Sequence, residues 1–472
     1  MSDTGNAAGD IHNLTFEELH VGQRATHART LSTDDIKAFA LVSGDVNLAH
    51  VDPVYAEANR FPGVMAHGMW AGALISSLLG NEFPGPGTVY LEQTLKFKRP
   101  IRVGDTLTVT LEVLQKIDAT REVRLQCSVL NQKAEMVVSG EALVQAPAQR
   151  ITRPRTSLPT LMLFDPEARL RAWIDSLSGY PPIRCGVVHP CDESSLRGAL
   201  DAFQAGLIEP VIVAPKARVT ALAQKFELSL AGVELIDTPH SHASAAQAAA
   251  LAARRELAML MKGSLHTDEL MEAVLAEAPL RTGRRMSHVF RFEVPTYERP
   301  FLVTDAAINI APTLAEKADI IRNAIDLAHS LGIARPKVAL LSAVETVTAK
   351  IPSTLDAAAL CKMADRGQIE GAVLDGPLAF DNAISAAAAR IKGIESPVAG
   401  QADILFVPDI EAGNMLAKQL EYLAGAAGCG VVLGAQVPIV LTSRADSALS
   451  RVASAALAGV MHRSPRPSKI EH

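Results

Sequence analysis

The chain has 472 residues, a formal net charge of −6, 48% hydrophobic residues and 20% charged residues. That length exceeds one ordinary core, so two or more domains are expected, and the apolar-to-charged balance excludes wholesale disorder. The mild acidity provides no clustered basic surface of the kind nucleic acid requires.

Helical and strand signals alternate through the first part of the chain. A helix is expected to start at Ser32 or Thr33, with Asp34 and Asp35 suiting its N-terminus, Ile36, Phe39 and Ala40 forming its apolar face, and Gly44 ending it. A second helix, from about residue 67 to 80 (HGMWAGALISSLLG), is apolar on nearly every side and is expected to be buried. Period-two runs follow: Val89, Leu91, Leu95 and Phe97; Leu107, Val109, Leu111 and Val113; Val123, Leu125, Cys127 and Val129; Met136, Val138, Ala142 and Val144. These read as half-buried strands of a one-sided sheet wrapped around the apolar helix. Pro147, Pro154 and Pro159, with Arg150, Arg153 and Arg155 among them, predict an exposed linker over 148–164.

Beyond the linker the chain is Ala-rich and alternates short apolar strands with helices. GVVHP, PVIVAP, VELID, PFLVTD, KVALLS, GAVLD, DILFVPD and VPIVL read as strands. This rhythm predicts a largely parallel sheet covered by helices on both faces, with ligands at the carboxyl ends of strands. Residues 422–443 are uncharged, but their five breakers, Gly425, Gly428, Gly430, Gly434 and Pro438, make them a helix end, a glycine turn and a buried strand rather than a membrane span. The five cysteines are scattered with no C-x-x-C pair, and the first residues lack the apolar core of a secretory signal. A soluble, cytoplasmic chain without disulfides or zinc is therefore expected.

Two stretches of the first domain carry candidate chemistry. In SGDVNLAHVD, Asp45, Asn47 and His50 put a carboxylate, an amide and an imidazole within six residues. If the segment bends, Asp45 and His50 converge on one water and divide proton transfer between them, with Asn47 holding the aspartate or the turn. Gly-Asp-x-Asn is also good turn chemistry, and His50 then only satisfies a carbonyl. Gly68 opens the apolar helix, where free amides stabilise an oxyanion and a glycine admits a ligand; a glycine there also serves packing alone.

SGDVNLAH, AHGM, PGPGTVYL and RPIRVGDTLTV together resemble the MaoC-like (R)-specific enoyl-CoA hydratases over residues 14–146. The resemblance implies an α+β hot-dog domain (14–147), a dimer that forms the substrate tunnel, a catalytic pair at Asp45 and His50, and substrate contacts at Asn47 and Gly68. The family's Asn-Pro-Leu-His is Asn47-Leu48-Ala49-His50 here, which loosens the loop without removing a reacting group.

The second domain has neither a P-loop nor a correctly spaced dinucleotide loop. Its polar groups at strand ends include Asp305 and Asn309, Asp375, Asp409, and Ser443-Arg444, and Arg281, Arg284 and Arg285 form a cluster suited to phosphate. Singly, each is as well explained as a turn, a helix start or a solvated face. LMKGSLHTDELM, RRMSHVFRFEVPTYERPFLVTDAAINIAPT, DGPLAFDNAIS, ADILFVPDIEAGNMLAKQL and VPIVLTSRADS together resemble the phosphate acetyl/butyryltransferases. This implies an α/β/α, isocitrate/isopropylmalate dehydrogenase-like domain over 165–465, dimeric, that moves an acyl group between CoA and orthophosphate. It places Ser443 and Arg444 at the active site, with Arg284, Arg285, Asn309 and Asp375 binding substrate. The acidic residue that acetyl-specific members carry after Ser-Arg falls on Ser450, so no base is assigned, and SRADS resembles the butyryl-type branch. The expectation is a bifunctional acyl-CoA enzyme without metal or redox cofactor, acyl-CoA and phosphate being its substrates. The alternative is a hydratase whose second domain binds acyl-CoA without catalysis, since fold alone does not secure activity.

Overall fold

A computed structural model describes residues 10–59, 63–154, 165–177, 179–441 and 446–463. It divides the chain into two compact units, Met1–Leu163 and Phe164–His472.

The strands of the first unit are β1 (Asp10–His12), β2 (Arg24–Thr30), β3 (Val89–Gln93), β4 (Lys96–Phe97), β5 (Thr106–Ile117), β6 (Glu122–Leu130), β7 (Met136–Gln145) and β8 (Thr152–Pro154). β2 to β7 form an antiparallel sheet in the order β2-β5-β6-β7-β3, with β4 also on β7. The expected alternation holds in its centre, where Leu107, Val109, Leu111, Val123, Leu125 and Cys127 are fully buried. They pack with Trp70, Ala71, Leu74, Ile75, Leu78 and Leu79 of the helix Gly68–Asn81. Each such aliphatic side chain contributes about 1.5–3 kcal/mol on burial. That helix buries one face only: Met69, Ala73, Ser76 and Ser77 point outward, because a one-sided sheet can cover only one side of a helix. Val89, Leu91 and Phe97 are likewise exposed. They lie on the sheet's last strands, with a register break between Tyr90 and Glu92.

Part of the expected linker is structured. β8 pairs antiparallel with β1, the Ile151 amide donates to Asn13 Oδ1 at 2.7 Å, and the Arg150 guanidinium donates to the Asn13 carbonyl at 2.8 Å. The partners are some 140 residues apart, so no local pattern signals the pairing.

The second unit contains β9 (Ile183–Val188), β10 (Ile208–Ala214), β11 (Glu234–Asp237), β12 (Met259–Lys262), β13 (Ser287–Glu293), β14 (Phe301–Thr304), β15 (Lys337–Leu341), β16 (Val373–Leu378), β17 (Ile404–Phe406), β18 (Ala427–Leu433) and β19 (Ile439–Val440). They form one sheet, β11-β10-β9-β12-β19-β18-β13-β14-β17-β15-β16. Helices Glu193–Gln204, Leu314–Ser330 and Ala448–Arg463 cover one face, and Ser241–Ala253, Thr267–Ala276 and Ile410–Tyr422 the other. The block from β11 to β19 is parallel, as is the block from β14 to β16. Between them stand three antiparallel pairings, β19/β18, β18/β13 and β13/β14. An odd number of reversals makes the two blocks run in opposite directions, so their carboxyl ends lie at opposite edges of the sheet.

β18 occupies the stretch expected to be a glycine turn. Its glycines are needed in the strand: a Cβ on Gly428 would lie 2.6 Å from the Phe292 ring, and one on Gly430 2.4 Å from the His288 ring, both on β13. Asp375-Gly376-Pro377, read as a turn, lies within β16, where a Cβ on Gly376 would lie 2.6 Å from Leu340 Cβ. Among the described residues, no helix is long and apolar enough to cross a membrane.

Candidate active sites

In the first unit the helix Thr33–Ser43 is capped by Ser32, whose hydroxyl accepts from the Asp35 amide, and ends at Gly44 with φ +75°. That left-handed residue favours glycine and turns the chain sharply into Asp45. Asn47 caps the short helix Leu48–Val51 through its side-chain oxygen, which accepts from the Ala49 amide at 3.0 Å. Its backbone amide donates to Asp45 Oδ1 at 3.3 Å. The Asn47 side chain thus holds the turn.

Two histidines complete this site. His50 Nδ1 lies 2.8 Å from the Met65 carbonyl and His67 Nε2 2.8 Å from the Asp45 carbonyl. A carbonyl only accepts, so each of these nitrogens carries the proton and the opposite one, His50 Nε2 or His67 Nδ1, is left with a lone pair. The two rings are 4.0 Å apart. Asp45, His50 and His67 each offer a ligating atom within 4.8 Å of the others; that donor set also suits a divalent cation. His67 is buried, occupies the N-cap position of the helix Gly68–Asn81 without a side-chain capping bond, and was not singled out from the sequence. Its position one residue before Gly68 puts the free amides of that helix's first turn beside the Asp45–His50 turn. A Cβ on Gly68 would lie 3.0 Å from the Phe97 ring, so packing also bears on this glycine.

The second unit has a cavity of about 950 Å³ at the carboxyl ends of β9 and β12. His189 follows β9, and Ser264, Leu265 and His266 follow β12. Four helices contribute their N-terminal ends to its lining: Glu193–Gln204 through Asp192–Ser194, Ser241–Ala253 through Ser241, Thr267–Ala276 through His266, and Ala448–Arg463 through Ala448. Helix starts present unsatisfied N–H groups and a positive dipole end, which favours phosphate. Arg197, Arg218 and Arg451 add positive charge beside the carboxylates Asp192, Glu193, Asp201, Glu269 and Asp446; Arg197 pairs with Glu193 at 2.9 Å, and Arg451 donates to the Ser194 carbonyl.

Ser443 and Arg444 lie outside the described residues; Asp446, just after them in the chain, lines the cavity. The other expected binding residues do not line it. Arg284 pairs with Asp326 at 2.5 Å. Arg285 donates from Nε to Asn309 Oδ1 at 2.6 Å and pairs with Glu316 at 3.2 Å. Asn309 Nδ2 bonds Asp305 at 2.6 Å and the Met286 carbonyl at 2.8 Å. Asp305 also accepts from the amides of Ala307, Ile308 and Asn309; burial pushes its pKa up, and these bonds oppose that shift. Asp305 and Asn309 follow β14, in the opposite block from β9 and β12, which separates this buried network from the cavity. Asp375 sits in β16, at the far end of that block.

Residues 241–459 match the family described as phosphate acetyl/butaryl transferase, and residues 17–133 match the MaoC like domain. The phosphate acetyltransferase of Rhizobium meliloti is 60% identical over 285 residues, which is 60% of this chain and 90% of that protein. The chain belongs to the phosphate acetyl/butyryltransferase family, with a MaoC-like domain ahead of its transferase unit. A crystal structure of a branched-chain phosphotransacylase from Enterococcus faecalis V583 is 31% identical, with a TM-score of 0.54, and covers 60% of this chain and 99% of that one. The R-hydratase PhaJ1 from Pseudomonas aeruginosa is 42% identical over 33% of this chain and 99% of that one, with a TM-score of 0.32. The cavity residues His189, Arg197, Arg218 and Arg451 were missed in the sequence; the one local signal was a histidine closing the apolar strand GVVHP.

Proposed function

We propose that the chain is a bifunctional acyl-CoA enzyme. In the transferase unit an acyl group, taken to be acetyl from the 60% identity to a phosphate acetyltransferase, moves between CoA and orthophosphate. The observation that carries this reading is the cavity lined by four helix starts and three arginines at the carboxyl edge of a parallel block. Backbone N–H groups and guanidinium forks bind the phosphoryl oxygens, and the same charges stabilise the oxyanion that develops on the thioester carbonyl. Catalytic roles for Ser443 and Arg444, and an isocitrate/isopropylmalate dehydrogenase-like ancestry for the unit, belong to the same reading.

In the MaoC-like unit, water adds across a 2-enoyl-CoA to give the (R)-3-hydroxyacyl-CoA. Asp45 and the unprotonated Nε2 of His50 hold the water, take its proton as oxygen attacks the β-carbon, and return a proton to the α-carbon. The Gly68 amide binds the thioester oxygen as enolate charge develops. The exposed Leu41, Val42, Val46 and Val54 around this turn support a homodimer. Both reactions run on dissolved CoA thioesters in the cytoplasm.

Release of CoA thiol from acetyl-CoA and butyryl-CoA by the purified full-length protein, with and without phosphate, tests the transferase; hydration of crotonyl-CoA tests the hydratase. Phosphate-dependent release that is faster with acetyl-CoA is expected. No release from a preparation that hydrates crotonyl-CoA would favour the second unit as a non-catalytic acyl-CoA-binding module.

A further inference from the structure

We propose that His189 is the general base of the acyl transfer: its Nε2 takes the proton of the CoA thiol. The proposal rests on the cavity being the transferase site. It fills the role for which the sequence offers only Ser450 at the family's acidic position.

The argument starts from the hydrogen bonds of Ser244, a fully buried residue. Its hydroxyl oxygen makes three contacts: 3.0 Å to the His240 carbonyl, 2.8 Å to Thr238 Oγ1 and 3.2 Å to His189 Nδ1. A hydroxyl has one proton and two lone pairs. The carbonyl only accepts, so the serine proton goes there, and both remaining partners must donate. His189 therefore carries its proton on Nδ1, and Nε2 is left as an acceptor on a ring that lines the cavity.

The backbone holds that ring in place. His189 has φ +54°, a left-handed conformation uncommon for a residue with a side chain. It is kept there by its amide donating to the Val213 carbonyl at 2.9 Å and by its own carbonyl accepting from Cys191, Ser264 N and Ser264 Oγ at 2.8–2.9 Å. Strain kept by several bonds at a cavity wall marks a group whose position matters.

The other ionisable groups of the cavity suit the task less well. Asp192 caps the helix Glu193–Gln204, accepting from the Ser195 amide at 2.8 Å; Glu193 pairs with Arg197, and Glu269 with His242 at 3.4 Å. Asp201 and Asp446 are the other carboxylates of the lining. A carboxylate is also a weak base toward a thiol whose reference pKa is about 8.5, whereas imidazole lies closer to it. His266 is exposed. Burial, with Arg218 and His240 nearby, lowers the His189 pKa, and Glu269 opposes this; the net shift favours the neutral ring that a base must be.

The step balances without a co-reactant. Nε2 takes the thiol proton, the thiolate sulfur bonds to the carbonyl carbon of the acyl phosphate, and the bond from that carbon to the phosphate oxygen breaks. The imidazolium then gives its proton to the departing phosphate.

The test is acyl transfer from acetyl phosphate to CoA by the full-length protein carrying His189→Asn, asparagine being suited to the positive φ. At pH 7, kcat is expected to fall by about 10²–10⁴-fold, with the KM for CoA within about threefold, which reports a site still folded. Wild-type kcat should be level around neutrality and fall only on the acid side of the ordinary histidine range, since the His189 pKa is lowered, whereas the variant should gain about tenfold per pH unit up to roughly 8.5, as free thiolate replaces the base. Ser244→Ala, which frees the tautomer, should cost about fivefold in kcat. Transfer by the wild type with His189→Asn within twofold of it, or a deficit that is the same at every pH, would overturn the base assignment alone. No transfer by the wild type would overturn the transferase reading and this proposal with it.

Discussion

Replacing Gly68 with alanine separates the two reasons for a glycine at the start of the helix Gly68–Asn81. The added methyl would lie 3.0 and 3.1 Å from Phe97 Cε1 and Cδ1, against an ordinary contact of about 3.5–4.0 Å. Phe97 is 52% exposed, so its ring can yield the needed few tenths of an ångström. Gly68 is the first residue of its helix, so alanine gains only part of the about 1 kcal/mol interior propensity difference over glycine, which partly offsets that crowding. Stability should therefore stay within about 1 kcal/mol, or about 4 °C in Tm. On the proposed mechanism hydration should behave differently, because the methyl would occupy space beside the amide assigned to the thioester oxygen. Alanine keeps the N–H, but a methyl that displaces the thioester oxygen from it would forfeit up to the about 10²–10³ in kcat that one oxyanion donor is worth, or 2.7–4 kcal/mol. The assay is crotonyl-CoA hydration, with acyl transfer by the same polypeptide as internal control. Hydration within about threefold of wild type would refute the oxyanion role and leave Gly68 as a packing residue. A fall in Tm beyond about 10 °C would refute the claim that Phe97 can yield.

Asp45→Asn should lower hydration by at least about 10²-fold and leave acyl transfer unchanged; persistent hydration would remove Asp45 from the mechanism. Gly430→Ala puts a methyl 2.4 Å from the His288 ring and 3.1 Å from Phe290, with no exposed group to yield, so it should cost about 1–3 kcal/mol or more, read as a lower urea midpoint for the transferase unit. His288 is fully buried, and burial lowers its pKa from 6.5 to about 3. Its folded pKa is depressed, so its contribution to stability is complete above pH 6.5 and is lost as pH falls from 6.5 toward 3, because the unfolded chain takes up the proton first. Between pH 7 and 5 this amounts to about 2 kcal/mol at 1.36 kcal/mol per pH unit. His288→Leu should flatten the pH dependence of the urea midpoint by that amount, and an unchanged slope would refute the assignment.

The elements legible from sequence were those with local causes. The helix Thr33–Ser43 appears with the expected cap at Ser32 and stop at Gly44, and the β5 and β6 runs bury the residues their alternation selects. Motif likeness led to Asp45 and His50, which the structure brings together. Elements with non-local causes were read wrongly or missed. The glycines of β18 look like a turn until the rings of Phe292 and His288 arrive from β13. The β1–β8 pairing joins segments from opposite ends of the first unit. The contacts that Arg285 makes with Asn309 and Glu316 join residues from separate segments of the chain and had no local signal.

The sequence by itself determined the two-unit organisation, the antiparallel and α/β classes, and Asp45 and His50 as candidates, since periodicity, capping and short motifs act over a few residues. Tertiary structure alone decided which strand ends share an edge. Three antiparallel pairings in mid-sheet set the two parallel blocks in opposite directions, which carries Asp305 and Asn309 away from the cavity and gathers His189, Arg218, Ser264 and Asp446 within it. It also decided which nitrogen of His50 and of His189 keeps its lone pair, because the partners that fix those tautomers, Met65 and Ser244, lie 15 and 55 residues away.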